Sequence, residues 1–147
     1  MTSRTRRSLD PADYVYRHDV RVRFAETDAM GIVHHAAYLP YLEEARVEYL
    51  RAIGHPYSSL RAAGTDIAVL EASVRYLRPL RFDDVVTVHL VPVAASRTSF
   101  ELDYLLTVDG IACSHAVTSH ACVNDRGRPT RLPVWLTELA VTRSSLR

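Results

Sequence analysis

Apolar and polar residues alternate first over residues 14–24, where Val20, Val22 and Phe24 interleave with Asp19, Arg21 and Arg23. A period of two predicts a half-buried strand that ends near Ala25. Spacings of three and four then take over: Leu39, Leu42, Ala45, Tyr49, Leu50 and Ile53 share a helical face, while Glu43, Glu44, Glu48 and Arg51 fill the positions between. This predicts one long helix over 38–53, with Pro40 in its first turn and Gly54 as its cap. A short helical turn over 57–63 ends at Gly64. Strand-like runs follow at 66–77, 85–94, 98–108 and 111–123, broken at Pro79, Asp83-Asp84, Ala95-Ser96 and Asp109-Gly110. Of these breaks Asp109-Gly110 is the strongest hairpin signal. A second turn falls at 125–127, and 133–140 predicts a short last helix starting at a proline. A strand, a long helix and four more strands make an α+β domain, a mostly antiparallel five-stranded sheet wrapped around one helix.

A length of 147 residues with 48% apolar content suits one domain with a real core, assigned to 14–141. Residues 1–13 are polar and arginine-rich and read as a loose arm, and 142–147 as a C-terminal tail. Eighteen basic residues against seventeen acids leave a net charge of +1, with no basic block beyond residues 4–7, which argues against nucleic acid as a partner. No apolar run approaches the roughly 18 residues of a membrane helix, and the basic start runs into Asp10, Pro11 and Asp13 instead of a signal-peptide core. A protein with no membrane partner is expected. Two cysteines, Cys113 and Cys122, are too few for a disulfide framework and agree with a cytoplasmic location. Lysine is absent, which excludes Schiff-base and P-loop lysine chemistry.

Candidate chemistry concentrates between the first strand and the long helix, where residues 24–38 carry Asp28, Gly31, His34 and His35. Amides in a helix's first turn lack intrahelical partners and lie at the positive end of the dipole, so they can hold a carbonyl oxygen as it becomes an oxyanion. A carboxylate close by can serve as nucleophile or general base. A purely structural role is open to the same Asp28, closing its own loop through an Asx turn. Cys113, His115, His120 and Cys122 have the residue types of a zinc site, but one continuous strand would point 113 and 115 to one side and 120 and 122 to the other. No metal is expected. Arg75, Arg78 and Arg81 around Tyr76 and Pro79 read equally well as phosphate contacts or as a charged strand edge.

The segment Thr27-Asp28-Ala29-Met30-Gly31-Ile32-Val33-His34-His35-Ala36-Ala37-Tyr38 resembles the signature of the hotdog-fold thioesterases, in the branch of 4-hydroxybenzoyl-CoA thioesterase and the YbgC-like acyl-CoA thioesterases. The likeness continues through residues 41–51 and 72–84 and spans about 16–139. It implies hydrolysis of an acyl-CoA or acyl-carrier-protein thioester without a cofactor, in a homodimer and often a homotetramer whose sites lie between one subunit's helix start and its partner's strands. Carried over by position, Asp28 is the catalytic carboxylate and His35 the residue whose backbone N–H binds the thioester carbonyl. Gly31 lets the loop pass close to the ligand, and Met30 and His34 stand beside it as substrate-binding candidates. Phe24 replaces the tyrosine of several relatives, and Ala37 a common asparagine. Glu43 matches a glutamate of this branch and reads as structural, paired with Arg46 three residues on. Hydration, dehydration or conjugate addition on the same scaffold is the alternative chemistry, although the Asp-x4-His spacing of hydratases and the His-x-Phe-Pro-Gly of dehydratases are absent. Non-catalytic binding of an acyl-carrier protein is the alternative outside enzymology.

Overall fold

The computed structural model describes residues 7–141. Five strands, β1 (Tyr16–Arg21), β2 (Asp66–Tyr76), β3 (Val85–Val93), β4 (Ser99–Val108) and β5 (Ile111–Val123), form one sheet in the order β1-β3-β4-β5-β2. All four neighbouring pairs are antiparallel. The chain turns tightly between β4 and β5 at Asp109 and Gly110, with φ of 51° and 78°, the positive values that a two-residue hairpin turn requires.

Helix α1 (Tyr38–Ala52) lies against β1 and β3. Its buried apolar face is Tyr38, Tyr41, Leu42, Ala45, Tyr49 and Leu50, and all of these but Leu50 join Val86, Val88, Leu90, Leu102, Tyr104 and Leu106 in a single apolar cluster. Leu39, expected on this face, is 48% exposed; Tyr38 and Tyr41 take the positions toward the sheet. Gly54, with φ +84°, ends the helix as predicted. Two shorter helices, α2 (Tyr57–Ala62) and α3 (Val134–Leu139), occupy the predicted places.

Three expectations change on contact with the structure. β1 stops at Arg21, and Phe24–Glu26 forms a 3₁₀ turn, so the alternation seen in the sequence outruns the ladder. Residues 7–13, assigned to a loose arm, include a 3₁₀ turn at Pro11–Asp13 capped by Asp10, and Ser8 there is buried and accepts the Tyr14 hydroxyl through its carbonyl at 2.7 Å. Residues 1–6 and the tail 142–147 lie outside the described residues. Finally, β5 carries a bulge opposite Leu106/Thr107, where Leu106 faces Ser114 and Thr107 faces Ala112. The extra residue, Cys113, turns into the core with Cys122, so Cys113 and His115 no longer share a side. Among the described residues no three His, Cys, Asp or Glu side chains converge on a point.

The candidate active site

Residues 26–34 fold into a short antiparallel ladder that stands off the sheet. Its base is the His34 N–H donating to the Glu26 carbonyl at 2.8 Å, followed by pairing of Thr27 with Val33 and an Asp28 N–H to Ile32 carbonyl bond of 2.9 Å. At the tip the Gly31 N–H closes back onto the Asp28 carbonyl at 2.9 Å, and the Met30 N–H donates to Asp28 Oδ1 at 2.8 Å. Gly31 has φ +78°, while a Cβ added there would meet nothing within 4 Å. Its backbone, and not space, therefore requires glycine. The second arm of the ladder is tied to residues after β2 by the Val33 N–H to Leu80 carbonyl bond and by pairing of Ile32 with Arg81.

The chain then passes from His34 into a 3₁₀ turn, His35–Ala37, that runs directly into α1. The Ala36 N–H is taken by His34 Nδ1 at 3.1 Å, the Ala37 N–H by the His34 carbonyl at 2.9 Å and the Tyr38 N–H by the His35 carbonyl. Among the described residues no acceptor takes the His35 N–H. It is an open donor at the positive end of the helix.

A cleft of about 430 Å³ opens at this point, lined by Asp28, Met30, Ile32, Val33, His35, Tyr38 and the segment from Tyr76 to Pro79. Of the sequence-predicted residues it brings together Asp28, His35 and Met30, the last 73% exposed at the rim. His34 and Gly31 do not line it: the first caps the turn and the second shapes the tip. The Asx bond of Asp28 is present, and it occupies Oδ1 only; among the described residues Oδ2 has no hydrogen-bond partner. Tyr38 and Tyr76 meet edge to face, 4.8 Å between ring centres, and make the aromatic wall. Burial, with Tyr76 and Cys113 adding to it, pushes the Tyr38 hydroxyl up to about 12. It stays protonated near neutrality, able to donate a hydrogen bond and unable to act as a base, which leaves Asp28 as the carboxylate of the cleft.

The arginines read as one cluster separate. Arg78 lines the cleft, whereas Arg75, opposite His115 on β5, lies on the other side of the sheet from Tyr76. Glu43 does not pair with Arg46. It is exposed, and Arg46 is buried with its Nε donating to the Tyr57 hydroxyl at 3.0 Å. Sequence reasoning missed Glu26 and Tyr41. The Glu26 carboxylate, 11% exposed, accepts the Arg23 N–H at 2.8 Å, the Arg23 guanidinium at 3.0 and 3.2 Å and the Tyr41 hydroxyl at 2.7 Å. Burial alone would raise its pKa; the Arg23 amide, the Tyr41 hydroxyl and the Arg23 guanidinium outweigh burial and hold it below the usual carboxylate range.

Residues 22–139 match the model of the thioesterase-like superfamily, nearly the whole described chain. The chain belongs to that superfamily. A crystal structure of a hypothetical protein from Aquifex aeolicus superposes with a TM-score of 0.81 at 40% identity, covering 86% of this chain and all of that one. The 1,4-dihydroxy-2-naphthoyl-CoA hydrolase of Nostoc punctiforme is 31% identical over 121 residues, 78% of this chain and 82% of the relative. The acyl-CoA thioester hydrolase YbgC of Escherichia coli is 29% identical, covering 81% of this chain and 90% of the relative. The thioesterase described above is thus a YbgC-like member with the hotdog arrangement of an antiparallel five-stranded sheet and packed helices.

Proposed function

We propose that this thioesterase hydrolyses acyl-CoA thioesters with Asp28 as the catalytic carboxylate and the His35 backbone N–H as the oxyanion donor. One observation carries the reading: a carboxylate with a free oxygen and a residue whose amide is open line the same cleft at the start of α1. The thioester carbonyl accepts the His35 N–H and is polarised by it. Asp28 removes a proton from a water molecule, the resulting hydroxide adds to the carbonyl carbon, the C–S bond breaks, and the thiolate takes the proton back. Oδ2, untied among the described residues, is the oxygen that takes this proton; the same oxygen is equally free to attack the carbonyl directly, and isotope labelling separates the two courses. Met30, Ile32, Val33, Tyr38, Tyr76 and Leu77 give the acyl group an apolar, partly aromatic wall. Relatives named for coenzyme A thioesters support that carrier, and the Arg78 cation in the wall supports an anionic one. An acyl-carrier protein presents the same thioester and is the alternative carrier. The site is read as completed by a second copy of the chain.

Asp28→Asn tests the central assignment. It keeps an acceptor for the Met30 N–H, so the loop should hold its shape, while turnover of the best thioester from a panel of aliphatic and aromatic acyl-CoAs should fall at least about 100-fold. An Asn variant within threefold of wild type would remove Asp28 from the mechanism. A single turnover in oxygen-18 water, followed by mass analysis of the Asp28 peptide, decides between base and nucleophile: no label is expected, and label in the peptide would establish an acyl-enzyme anhydride.

A further inference from the structure

The two groups assigned to catalysis sit on opposite arms of one ladder. Asp28 is on the outgoing arm and His35 follows directly on the returning one, so their separation depends on how the base of the ladder is held and how it is fixed to α1. Glu26 does both. Its carbonyl takes the His34 N–H at 2.8 Å, closing the base between the arms one residue before His35. Its side chain, meanwhile, is bolted to the helix by the Tyr41 hydroxyl at 2.7 Å, with Tyr41 itself 2% exposed. The Arg23 amide and guanidinium fill the rest of the carboxylate, which leaves it one geometry. Neither Glu26 nor Tyr41 lines the cleft.

The geometry points to Glu26 and Tyr41 as positioning residues that set the Asp28 carboxylate against the His35 amide. This rests on the assignment of Asp28 and His35 above. A half-buried acid that accepts four hydrogen bonds is more than closing a loop requires, whereas a displacement of about 1 Å between reacting groups can cost on the order of 100-fold in rate. The brace acts on chemistry and not on affinity, because the cleft walls that hold the substrate come from other residues.

Tyr41→Phe, Glu26→Gln and Glu26→Ala, each alone and combined with Asp28→Asn, make the test with an acyl-CoA substrate. Tyr41→Phe keeps the ring in the core and deletes only the bolt; kcat should fall about 10- to 100-fold with KM within about threefold. Glu26→Gln retains an oxygen for the Tyr41 hydroxyl and the Arg23 N–H and should recover most of the activity lost in Glu26→Ala. In the Asp28→Asn background all three should change the residual rate less than threefold, since a residue that acts through Asp28 has nothing left to position. Multiplicative losses in that background, or a Tyr41→Phe enzyme that loses affinity and not turnover, would overturn the proposal while leaving Asp28 in place. If Asp28→Asn alone is near wild type, it is the underlying catalytic assignment that fails. Circular dichroism and the melting temperature of Tyr41→Phe and Glu26→Gln, both near-isosteric, confirm that the comparison is between folded proteins.

Discussion

His35 offers two groups at one position, a backbone donor and an imidazole, and the fold lets them be separated. The His35 ring lies 4.1 Å from that of His34, tilted by 33°, and it is His34 Nδ1 that takes the Ala36 amide, so the His35 imidazole is not needed to close the turn. His35→Ala should therefore keep the oxyanion donor and lose only a modest factor in kcat. His35→Pro deletes the donor at a place that tolerates proline: the residue opens a helical turn, and His34 before it has φ −63° and ψ 140°, the extended backbone that a following proline favours. Loss of one such donor typically costs about 100- to 1,000-fold. Steady-state kinetics on both variants, with circular dichroism for the fold, checks this; equal damage from Ala and Pro would move the role to the imidazole. That Asp28 and His35 would share one cleft was legible at this scale because they fall within eight residues, and a loop so short cannot scatter them. Glu26 and Tyr41 were not legible. Their bond spans fifteen residues and depends on which helical face Tyr41 presents, a matter decided by packing against the sheet.

Among the elements, strand and helix positions followed from periodicity to within a residue or two from residue 57 onward, since most runs there are bounded by a glycine, proline or aspartate turn and the remaining break, at Ala95-Ser96, interrupts the apolar alternation. Periodicity misled where tertiary contact overrode it. Val22 ends the first strand's inward series by donating its N–H to the Asp84 carbonyl, and the next residues turn instead of extending. β5 hides its bulge for the same reason, as no glycine or proline marks it. This strand also carries a buried polar chain that alternation did not disclose: Tyr104 on β4 bonds Thr118 at 2.8 Å, and Thr118 bonds His120 Nε2 at 2.7 Å, with Phe100 stacked on the imidazole. Burial first, and then the charge of Arg46, pulls the His120 pKa down from 6.5 to about 3, against a smaller opposing contribution from the Ala68 backbone. The folded state therefore holds His120 neutral while the unfolded chain protonates it below about pH 6.5. Stability from this group is complete above that pH and is lost as pH falls toward 3. His120→Gln keeps a hydrogen-bonding group for Thr118 but cannot titrate. In urea unfolding at pH 7 and pH 5, wild type should lose about 2 kcal/mol more than the Gln variant over that interval. Equal losses would show that His120 is not the group that titrates.

At the scale of the molecule the sheet has two edges of different character. β1 alternates, and its exposed positions are Arg17, Asp19 and Arg21, charges that discourage further pairing. On β2 the exposed charges are Glu71 and Arg75, and the stretch just before them is apolar. Positions 69–73 are exposed on both faces, Val69 and Leu70 are 54% and 61% exposed, and the side of the strand away from β5 carries no ladder among the described residues. The same strand ends at Tyr76, in the wall of the cleft. A second copy of the chain pairing along β2 would cover Val69 and Leu70 and bring its own residues toward that wall, which joins assembly to catalysis in one surface. Introducing charge there gives the discriminating experiment. Val69→Asp with Leu70→Asp lies at positions outside the described core cluster; if copies pair along β2, sedimentation analysis should show a dimer for wild type and a monomer for this variant. Its activity should fall with the dimer fraction and recover as protein concentration rises. A fully active monomer would show that each chain carries a complete site, and a dimer that persists unchanged would place the contact on another face.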